Sequence, residues 1–259
     1  MLLRFRYNVF ASASGPRTRS IPWRERAFTE PCFVSDWRAL VGDDPPFRVV
    51  RSYNYRAHAT KIFSYSLYGD DPVYFSKMHA NILAVPTLYP GWSVRVYLHD
   101  QSPAHMRQLL VDAGAQVFIV HDPVARPGNA AGMFWRFLPL TNTSLDVYVR
   151  DADDDVDRYK DIVFDPFVAA DSSICFSGLW AGPYPDTYVR GSCVLLRAGC
   201  LLGFDEDTLH NWPVRAPYGA DEYFLAVKSN VPRHRTRVAF YDQLSSIGIH
   251  IARGLAGPC

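Results

Sequence analysis

The sequence predicts an α/β fold in which a mostly parallel sheet is flanked by helices, built as a single domain with an N-terminal arm. Three observations predict it. Short β-branched and aromatic runs alternate with stretches of helical spacing between residues 61 and 151, which is typical of a parallel sheet. A length of 259 residues suits one such domain. The clearest strand ends at two aspartates, and open α/β folds bind ligands at the carboxyl ends of their strands.

The basic start of the chain predicts an arm over residues 1–58, ahead of the domain at residues 59–259. Residues 1–60 contain ten arginines and five acidic residues, and prolines interrupt them repeatedly. A short helix is expected near residues 36–41. A poorly ordered extension explains the composition equally well. A membrane surface or nucleic acid is a further candidate partner for the arm, but the net charge of +1 does not favour nucleic acid for the whole chain.

The first half of the domain predicts four strands and three helices. Strands are expected at residues 61–67, 93–99, 116–120 and 145–150, and helices at residues 73–88, 103–113 and 130–138. Ser102 is a candidate cap for the second helix. Because crossovers in such sheets are right-handed, successive strand ends gather on one edge, so Tyr68 and Asp151 should face the same crevice. The second half is less regular, with a strand expected at 188–196 and a helix at 218–227.

Asp151 and Asp153 form a candidate metal site directly after the fourth strand. Alternate residues on a strand face opposite sides, so both carboxylates reach one ligand only if the chain turns there. Oxygen ligands of this kind suit Mg²⁺ or Mn²⁺, which take further oxygens from phosphates. The hypothesis is a metal–diphosphate site, and hence an enzyme that acts on an activated nucleotide conjugate.

Two other interpretations of the acidic run remain open. One is a solvated acidic loop, which leaves the buried strand before it unexplained. The other is a calcium loop, in which Asp151, Asp153 and Asp155 occupy the first, third and fifth positions. The calcium pattern then fails, because Val156 stands at its glycine position and Ile162 at its glutamate position.

Cysteine usage and hydropathy indicate the compartment. Five cysteines are odd in number and form no CxxC pair, which argues against a disulfide framework and a structural zinc site. A reducing compartment, and so a cytoplasmic location, is expected. No stretch approaches the about 20 apolar residues that span a bilayer, so no transmembrane segment is expected. The start of the chain has no acid before Glu25, and an organelle transit peptide is the alternative.

Three segments carry a family resemblance. They are Phe134–Pro139 followed by Val147–Asp153, the opening strand Ser64–Gly69, and Tyr218–Leu225. In this order they resemble metal-dependent, nucleotide-sugar glycosyltransferases of the GT-A (Rossmann-like) fold, with a DxD pair delivered after an arginine-bearing helix. The chain is similar to small bacterial members and to glycosyltransferase domains of large DNA viruses, and a viral member would act in the host cytoplasm. The resemblance covers roughly residues 61–230 and leaves the arm unexplained.

The resemblance implies transfer of a sugar from a nucleoside-diphosphate donor, expected to be UDP-linked, to a hydroxyl of a glycan or another acceptor. Asp151 and Asp153 would hold Mn²⁺ or Mg²⁺ against the donor diphosphate. Arg136 would contact donor phosphate or sugar oxygens, or would serve as an internal partner of the acidic cluster. Ser66 and Tyr68 would contact the nucleoside, unless they are ordinary strand-end residues.

On the acceptor side, the resemblance implies Asp221 as the catalytic base, with Glu222 as the fallback. A carboxylate near a cleft can accept the proton of an attacking hydroxyl, although an Asp at a helix start also serves as a cap. His250 is a candidate third metal ligand or a structural histidine, since its surroundings depart from the family's pattern. Inversion and retention stay open, because the Arg136 segment resembles retaining members and the acidic helix start resembles inverting ones.

Two alternatives to a glycosyltransferase remain. A nucleotidyl- or phosphotransferase would use the same metal carboxylates, but the sequence contains no GxxxxGK[ST] phosphate loop. A catalytically inactive binding module of the same fold is the other alternative.

Overall fold

The computed structural model describes residues 42–170, 175–180, 191–200, 202–228, 238–242 and 249–251. These residues build a nine-stranded mixed sheet with helices against it. The short helix expected near residues 36–41 lies outside the described residues.

The strands are β1 Arg48–Tyr53, β2 Lys61–Leu67, β3 Ser93–His99, β4 Gln116–His121, β5 Asp146–Arg150, β6 Phe176–Trp180, β7 Cys193–Leu196, β8 Val238–Asp242 and β9 Ile249–Ile251. The α-helices are α1 Pro72–Leu88, α2 Ala104–Asp112, α3 Asp165–Ala169, α4 Glu206–His210 and α5 Ala220–Lys228. A 3₁₀ helix spans Ala131–Thr141, and a π-helical turn at Lys160–Phe164 leads into α3.

The sheet has the strand order β1-β4-β3-β2-β5-β7-β6-β8-β9. Strands β4, β3, β2 and β5 run parallel to one another, whereas β1 and β7 join this block in antiparallel fashion. The predicted α/β fold class is confirmed, with a parallel block and antiparallel pairs around it. Because β2 and β5 are parallel neighbours, their carboxyl ends lie side by side.

Hydrophobic cores cover both faces of the sheet, as the alternation of side chains along a strand requires. On β5, Val147 and Val149 pack into one core, and Tyr148 packs into the other. The second core is rich in aromatic contacts: the ring of Phe63 lies 4.6 Å from that of Tyr89 and 5.0 Å from that of Tyr148 between centroids. Much of the aromatic content therefore stabilises the sheet.

Strand β1 lies within the segment that was predicted to be an arm. Its residues pair with β4 from Arg48↔His121 to Tyr53↔Val117. The sheet therefore begins before the predicted boundary at residue 58. Five of the six residues of β1, Arg48 to Ser52, are exposed, and the sequence lacks the alternation that marks a half-buried strand.

The helix starts differ in part from the predictions. Helix α1 begins at Pro72, and Asp71 caps it by accepting a hydrogen bond from the Val73 amide at 2.9 Å. Ser102 was expected to cap α2, and this prediction is wrong. Pro103 occupies the cap position, where no side chain bonds to the helix amides.

The cysteine prediction is also wrong in one respect. Cys175 and Cys200 form a disulfide, with their Cα atoms 5.8 Å apart. Cys175 directly precedes β6 and Cys200 closely follows β7, so pairing of the two strands brings the cysteines together. Since disulfides persist mainly in oxidising environments, the reducing compartment inferred from the cysteine count loses its support. Within the described segments, no helix is both long and apolar enough to cross a membrane.

Candidate active site

A cavity of about 510 Å³ opens at the carboxyl ends of β2 and β5. Its walls include residues 66–71 at the end of β2, the loop residues 127–129, Arg136 and residues 151–153 after β5. Tyr68 and Asp151 both line it, so the predicted meeting of these two strand ends is confirmed.

The 3₁₀ helix places Arg136 in the wall of this cavity. Two serines on the same face of β2 hold its backbone. The Ser64 hydroxyl donates to the Arg136 carbonyl oxygen at 2.7 Å, and the Arg136 amide donates to Ser66 Oγ at 2.8 Å. Phe134, Trp135 and Phe137 are fully buried around it. The helix is therefore fixed on the sheet, and the direction of the Arg136 side chain is fixed with it.

A buried ion pair between Arg215 and Asp122 supports the same 3₁₀ helix. Arg215 Nη2 lies 3.0 Å from Asp122 Oδ1, and both side chains are fully buried. Asp122 also accepts a hydrogen bond from Trp135 Nε1 at 3.0 Å. Arg215 further donates through its amide to Asp44 at 2.6 Å. This network connects the segment before β1 to the residue beside Arg136.

The guanidinium of Arg136 joins two carboxylates. Nη1 donates to Asp151 Oδ1, and Nη2 donates to Asp221 Oδ2 at 2.8 Å. Although burial works against the charge of Arg136, Asp151 and Asp221 together raise its pKa. The structure therefore shows the internal pairing that was the alternative interpretation of Arg136. The contact of Arg136 with a donor stays a prediction.

Asp221 lies in the first turn of α5 and is almost fully buried, with 2% of its surface exposed. Burial raises the pKa of its carboxyl, and Arg136 only partly offsets this. Helix α5 begins at Ala220, so Asp221 stands inside the helix and not at the cap position ahead of it. Asp221 is not among the described residues that line the cavity. Its role as a base stays a prediction.

Gly191 packs directly against this ion pair. A Cβ placed on Gly191 would lie 2.8 Å from Arg136 Nη2 and 2.8 Å from Asp221 Oδ2, too close for either atom. The Gly191 amide donates to Glu222 Oε1 at 3.2 Å. Gly191, two residues ahead of β7, therefore has no room for a side chain, and Glu222 holds its amide.

Asp151 and Asp153 offer carboxylate oxygens, the kind of ligand that Mg²⁺ and Mn²⁺ take. Both line the cavity, and Asp151 keeps its second oxygen beyond the one paired with Arg136. Partial desolvation and the neighbouring charge of Asp151 raise the pKa of Asp153, a repulsion that a bound cation relieves. Among the described residues no three His, Cys, Asp or Glu side chains are placed to hold a metal. An ion here would take its further ligands from water and phosphate oxygens, as Mg²⁺ usually does.

The loop after Asp153 is held by side chains that the sequence did not single out. Asn81 of α1 donates to the Asp154 carbonyl oxygen at 2.8 Å and accepts from the Val156 amide at 3.0 Å. The Tyr89 hydroxyl donates to the Val156 carbonyl oxygen at 2.8 Å. Arg150, which is 1% exposed, donates to the Asp155 carbonyl oxygen at 3.1 Å. The chain turns after β5, as the paired carboxylates require, and α1 holds that turn.

Ser66 and Tyr68 lie at the end of β2 and in the cavity wall, as the sequence predicts. The Tyr68 hydroxyl donates to the Asn129 carbonyl oxygen at 2.7 Å, and the ring packs closely over Gly132. Burial raises the pKa of the Tyr68 hydroxyl to about 12. Both residues thus have structural contacts, and their contact with a nucleoside stays a prediction.

Two tyrosines of the cavity wall were missed. Tyr74 in the first turn of α1 is 43% exposed, and Tyr218, just before Gly219 and α5, is 89% exposed. The pKa of Tyr74 is raised, chiefly by the charge of Asp153. Tyr218 begins the segment Tyr218–Leu225 that carries part of the family resemblance, but only the acidic residues of that segment were proposed as site residues.

His250 lies apart from these residues along the sheet. Its backbone is in β9, paired with Phe240 of β8, at the edge of the described sheet and four strands away from β5. Its role as a metal ligand stays a prediction.

Comparison with known proteins gives limited matches. The sequence matches no protein-family model, and it matches no curated protein. One similar solved structure is a glycosyltransferase involved in the glycosylation of the major capsid of PBCV-1, at 13% identity and a TM-score of 0.41, covering 70% of this chain and 80% of that one. Another is a mannosyltransferase from Pyrobaculum calidifontis in complex with GDP-Man and Mn²⁺, at 15% identity and a TM-score of 0.42. That match covers 85% of this chain and 61% of the other, less than two-thirds of its length.

Proposed function

We propose that this chain is a metal-dependent glycosyltransferase that moves a sugar from a nucleoside-diphosphate donor to a hydroxyl group of an acceptor. The observation that carries the proposal is the convergence of Asp151, Asp153 and Arg136 on one cavity at the ends of β2 and β5. Nucleotides bind at this edge of α/β sheets. The cavity volume of about 510 Å³ lies within the range of about 300–1,000 Å³ that ligand pockets occupy.

On the donor side, Asp151 and Asp153 would hold Mn²⁺ or Mg²⁺. When bound, such an ion supplies positive charge to the leaving nucleoside diphosphate. Arg136 fixes the orientation of Asp151 and adds its own charge to the cavity wall. A guanidinium has five N–H donors, and the pairs with Asp151 and Asp221 use one hydrogen each of Nη1 and Nη2. We propose that a remaining N–H of Arg136 contacts an oxygen of the donor.

The nucleoside is proposed to lie against Ser66 and Tyr68, which form the wall at the end of β2. A UDP-linked donor is the expectation that the family resemblance supplies. The geometry supports a nucleotide with a diphosphate group, since the paired carboxylates and the guanidinium lie beside this wall.

On the acceptor side, the ion pair supports a positioning role for Asp221. It anchors Arg136, which in turn anchors Asp151. A base role would require the Asp221 carboxylate to separate from Arg136 and reach the cavity, and it would imply inversion by direct displacement. Glu222, which is partly buried next to Gly191, is the fallback base.

The proposal is tested by incubating the protein with Mn²⁺ and a panel of UDP-, GDP- and dTDP-sugars, without acceptor and then with simple glycosides. Glycosyltransferases release a nucleoside diphosphate and free or transferred sugar. A nucleotidyl- or phosphotransferase would instead release a nucleoside monophosphate or inorganic phosphate. The proposal predicts slow, Mn²⁺-dependent release of nucleoside diphosphate from one donor class. Release of monophosphate, or no turnover of any donor, would contradict it.

A further inference from the structure

Strand β1 carries a surface that the proposed site does not use. The strand lies at one edge of the described sheet, and β4 and β3 separate it from β2, whose end lines the cavity. Arg48 and Arg51 are exposed on β1. Between them, Val49 is 37% exposed and Val50 is 49% exposed. The strand therefore presents positive charge and aliphatic surface side by side.

Arg107 of α2 joins the arginines of β1. Its Cζ lies 5.6 Å from the centre of the Tyr53 ring, and Arg51 Nη1 donates to the Tyr53 hydroxyl at 3.3 Å. The hydrogen bond from Arg51 and the charge of Arg107 lower the pKa of Tyr53. Two positive side chains therefore meet at one phenol.

Arg56 extends this group of arginines toward the end of α2. Its Nη2 donates to the Gly114 carbonyl oxygen at 3.4 Å, just after the helix. Among the described residues, no carboxylate forms an ion pair with Arg56 or with the arginines of β1 and α2. The contacts of Arg51, Arg107 and Arg56 are instead a phenol, an aromatic ring and a backbone carbonyl, none of which neutralises a charge.

The acidic residues around these arginines have other partners. Asp112, the acidic residue of α2, accepts a hydrogen bond from Gln108 Nε2 at 2.7 Å, and Asp100 after β3 pairs with His121 Nδ1 at 2.7 Å. From residue 45 to residue 69 the sequence contains no Asp or Glu. The arginines thus keep an excess of positive charge, and an anionic partner would reduce their mutual repulsion.

The valines favour a lipid surface among the possible anionic partners. Aliphatic side chains such as Val49 and Val50 gain free energy by entering the boundary between lipid headgroups and acyl chains. Nucleic-acid strands stack on aromatic rings instead, but the ring of Tyr53 faces a guanidinium and the ring of Tyr55 contacts Phe118. Charges on an edge strand also prevent it from pairing with other chains. That role leaves the exposed valines unexplained.

We propose that β1 and α2 carry a docking surface for an anionic lipid membrane, formed by Arg48, Val49, Val50, Arg51, Arg56 and Arg107. The guanidinium groups would donate hydrogen bonds to headgroup phosphates, and the valines would enter the boundary beneath them. This inference goes beyond the proposed function and does not depend on it.

The test measures co-sedimentation of the full chain with lipid vesicles. One set of vesicles contains phosphatidylcholine alone, and the other contains phosphatidylcholine with phosphatidylglycerol. The Arg48→Gln, Arg51→Gln double variant removes charge from the surface. The Val49→Thr, Val50→Thr double variant removes apolar surface but keeps β-branched side chains, which suit a strand. Fluorescence anisotropy with random-sequence duplex DNA and single-stranded RNA measures binding of the other polyanions.

The matched control is the Lys77→Gln, Lys160→Gln double variant, which removes the same amount of positive charge. These lysines have carboxylate partners, since Lys77 lies 3.3 Å from Asp155 and Lys160 lies 2.8 Å from Asp165. They lie on α1 and on the π-helical turn, outside the proposed surface.

We expect the wild type and the lysine control to bind the phosphatidylglycerol vesicles and not phosphatidylcholine alone, and to bind less at higher salt. The arginine variant should bind about tenfold more weakly, and the valine variant about threefold more weakly. Absence of vesicle binding by the wild type, or equal binding by the arginine variant, would overturn the inference. So would equal binding by the valine variant, because the valines are what select a lipid. Binding of DNA or RNA in place of vesicles, lost in the arginine variant, would assign the surface to nucleic acid.

Discussion

Arg136 Nη2 and Asp221 Oδ2 lie 2.8 Å apart in an almost fully buried ion pair, although 85 positions separate the two residues in the chain. The pair joins the start of α5 to the 3₁₀ helix, and the same guanidinium also holds Asp151 at the end of β5. Three elements of the candidate site are thereby positioned by one side chain. Changes around this guanidinium should therefore affect both stability and ligand binding.

Asp221→Asn should change how the stability of the protein depends on pH. Burial raises the pKa of Asp221 above its unfolded value, so between these two values the folded state holds more protons than the unfolded state. The contribution of such a group to stability is present below the unfolded pKa, about 3.9 for Asp, and is lost as pH rises through the folded pKa. Urea unfolding from about pH 3.5 to about pH 7 should show a greater loss of stability with rising pH in the wild type than in the variant. Equal slopes would contradict a raised pKa.

Gly191→Ala should destabilise the fold and weaken nucleotide binding together. The added methyl would lie 2.8 Å from both Arg136 Nη2 and Asp221 Oδ2, so the ion pair has to shift. Overpacking of this kind costs about 1–3 kcal/mol of unfolding free energy, which denaturant unfolding measures. Because the shift reaches Asp151 through Arg136, we also expect weaker Mn²⁺-dependent nucleotide binding by calorimetry. Unchanged stability would show that the pair tolerates a side chain at this position.

Asn81→Ala should weaken metal binding although Asn81 touches no candidate ligand. The Asn81 side-chain amide hydrogen-bonds to the Asp154 carbonyl oxygen and to the Val156 amide, so its removal loosens the loop that carries Asp153. Leaving the buried Val156 amide unpaired costs about 1–3 kcal/mol, and the partly buried Asp154 carbonyl loses its bond as well. We expect a higher Mn²⁺ concentration for half-maximal nucleotide binding. Ser76→Ala, an exposed position on the same helix, is the control. A loss of stability with unchanged Mn²⁺ dependence would restrict Asn81 to the fold.

Removing the Cys175–Cys200 disulfide should lower the free energy of unfolding. The two cysteines are 25 positions apart, and closing a loop of this length in the unfolded chain corresponds to about 3.5 kcal/mol. The Cys175→Ser, Cys200→Ser double variant should therefore unfold at lower denaturant concentration than the oxidised wild type. Reduction of the wild type should produce the same shift. Identical unfolding of the oxidised wild type and the double variant would show that the bond does not form in solution.

The sequence predicted the parallel half of the sheet because its information there is local. Strands β2, β3, β4 and β5 are short apolar runs separated by helical spacing, and right-handed crossovers then place their ends together. Tyr68 and Asp151 accordingly line one cavity. Strand β1 was missed because its exposed residues show no alternation, and it exists through pairing with β4, far away in the chain.

The long-range contacts of the site were harder to predict for the same reason. The pairing of Arg136 with Asp151 was weighed as an alternative, but the pairing with Asp221 depends on how α5 packs against the 3₁₀ helix. Asn81 stands in an amphipathic helix, where an amide usually marks the solvent face, yet it is 5% exposed because the loop after β5 lies over it. Gly191 carries no local signal, since the requirement for a small residue arises from two distant side chains.

The most direct test of the account is a calorimetric titration of UDP and GDP, with and without Mn²⁺, into the wild type, Asp153→Asn and Asp155→Asn. The two variants remove the same charge from the same loop, but Asp153 lines the cavity, whereas Asp155 is outside it and pairs with Lys77 at 3.3 Å. The account predicts Mn²⁺-dependent binding of one nucleotide to the wild type and to Asp155→Asn, and a loss of at least about tenfold in Asp153→Asn. Binding that needs no metal, or equal binding by all three proteins, would contradict a metal–diphosphate site at Asp151 and Asp153.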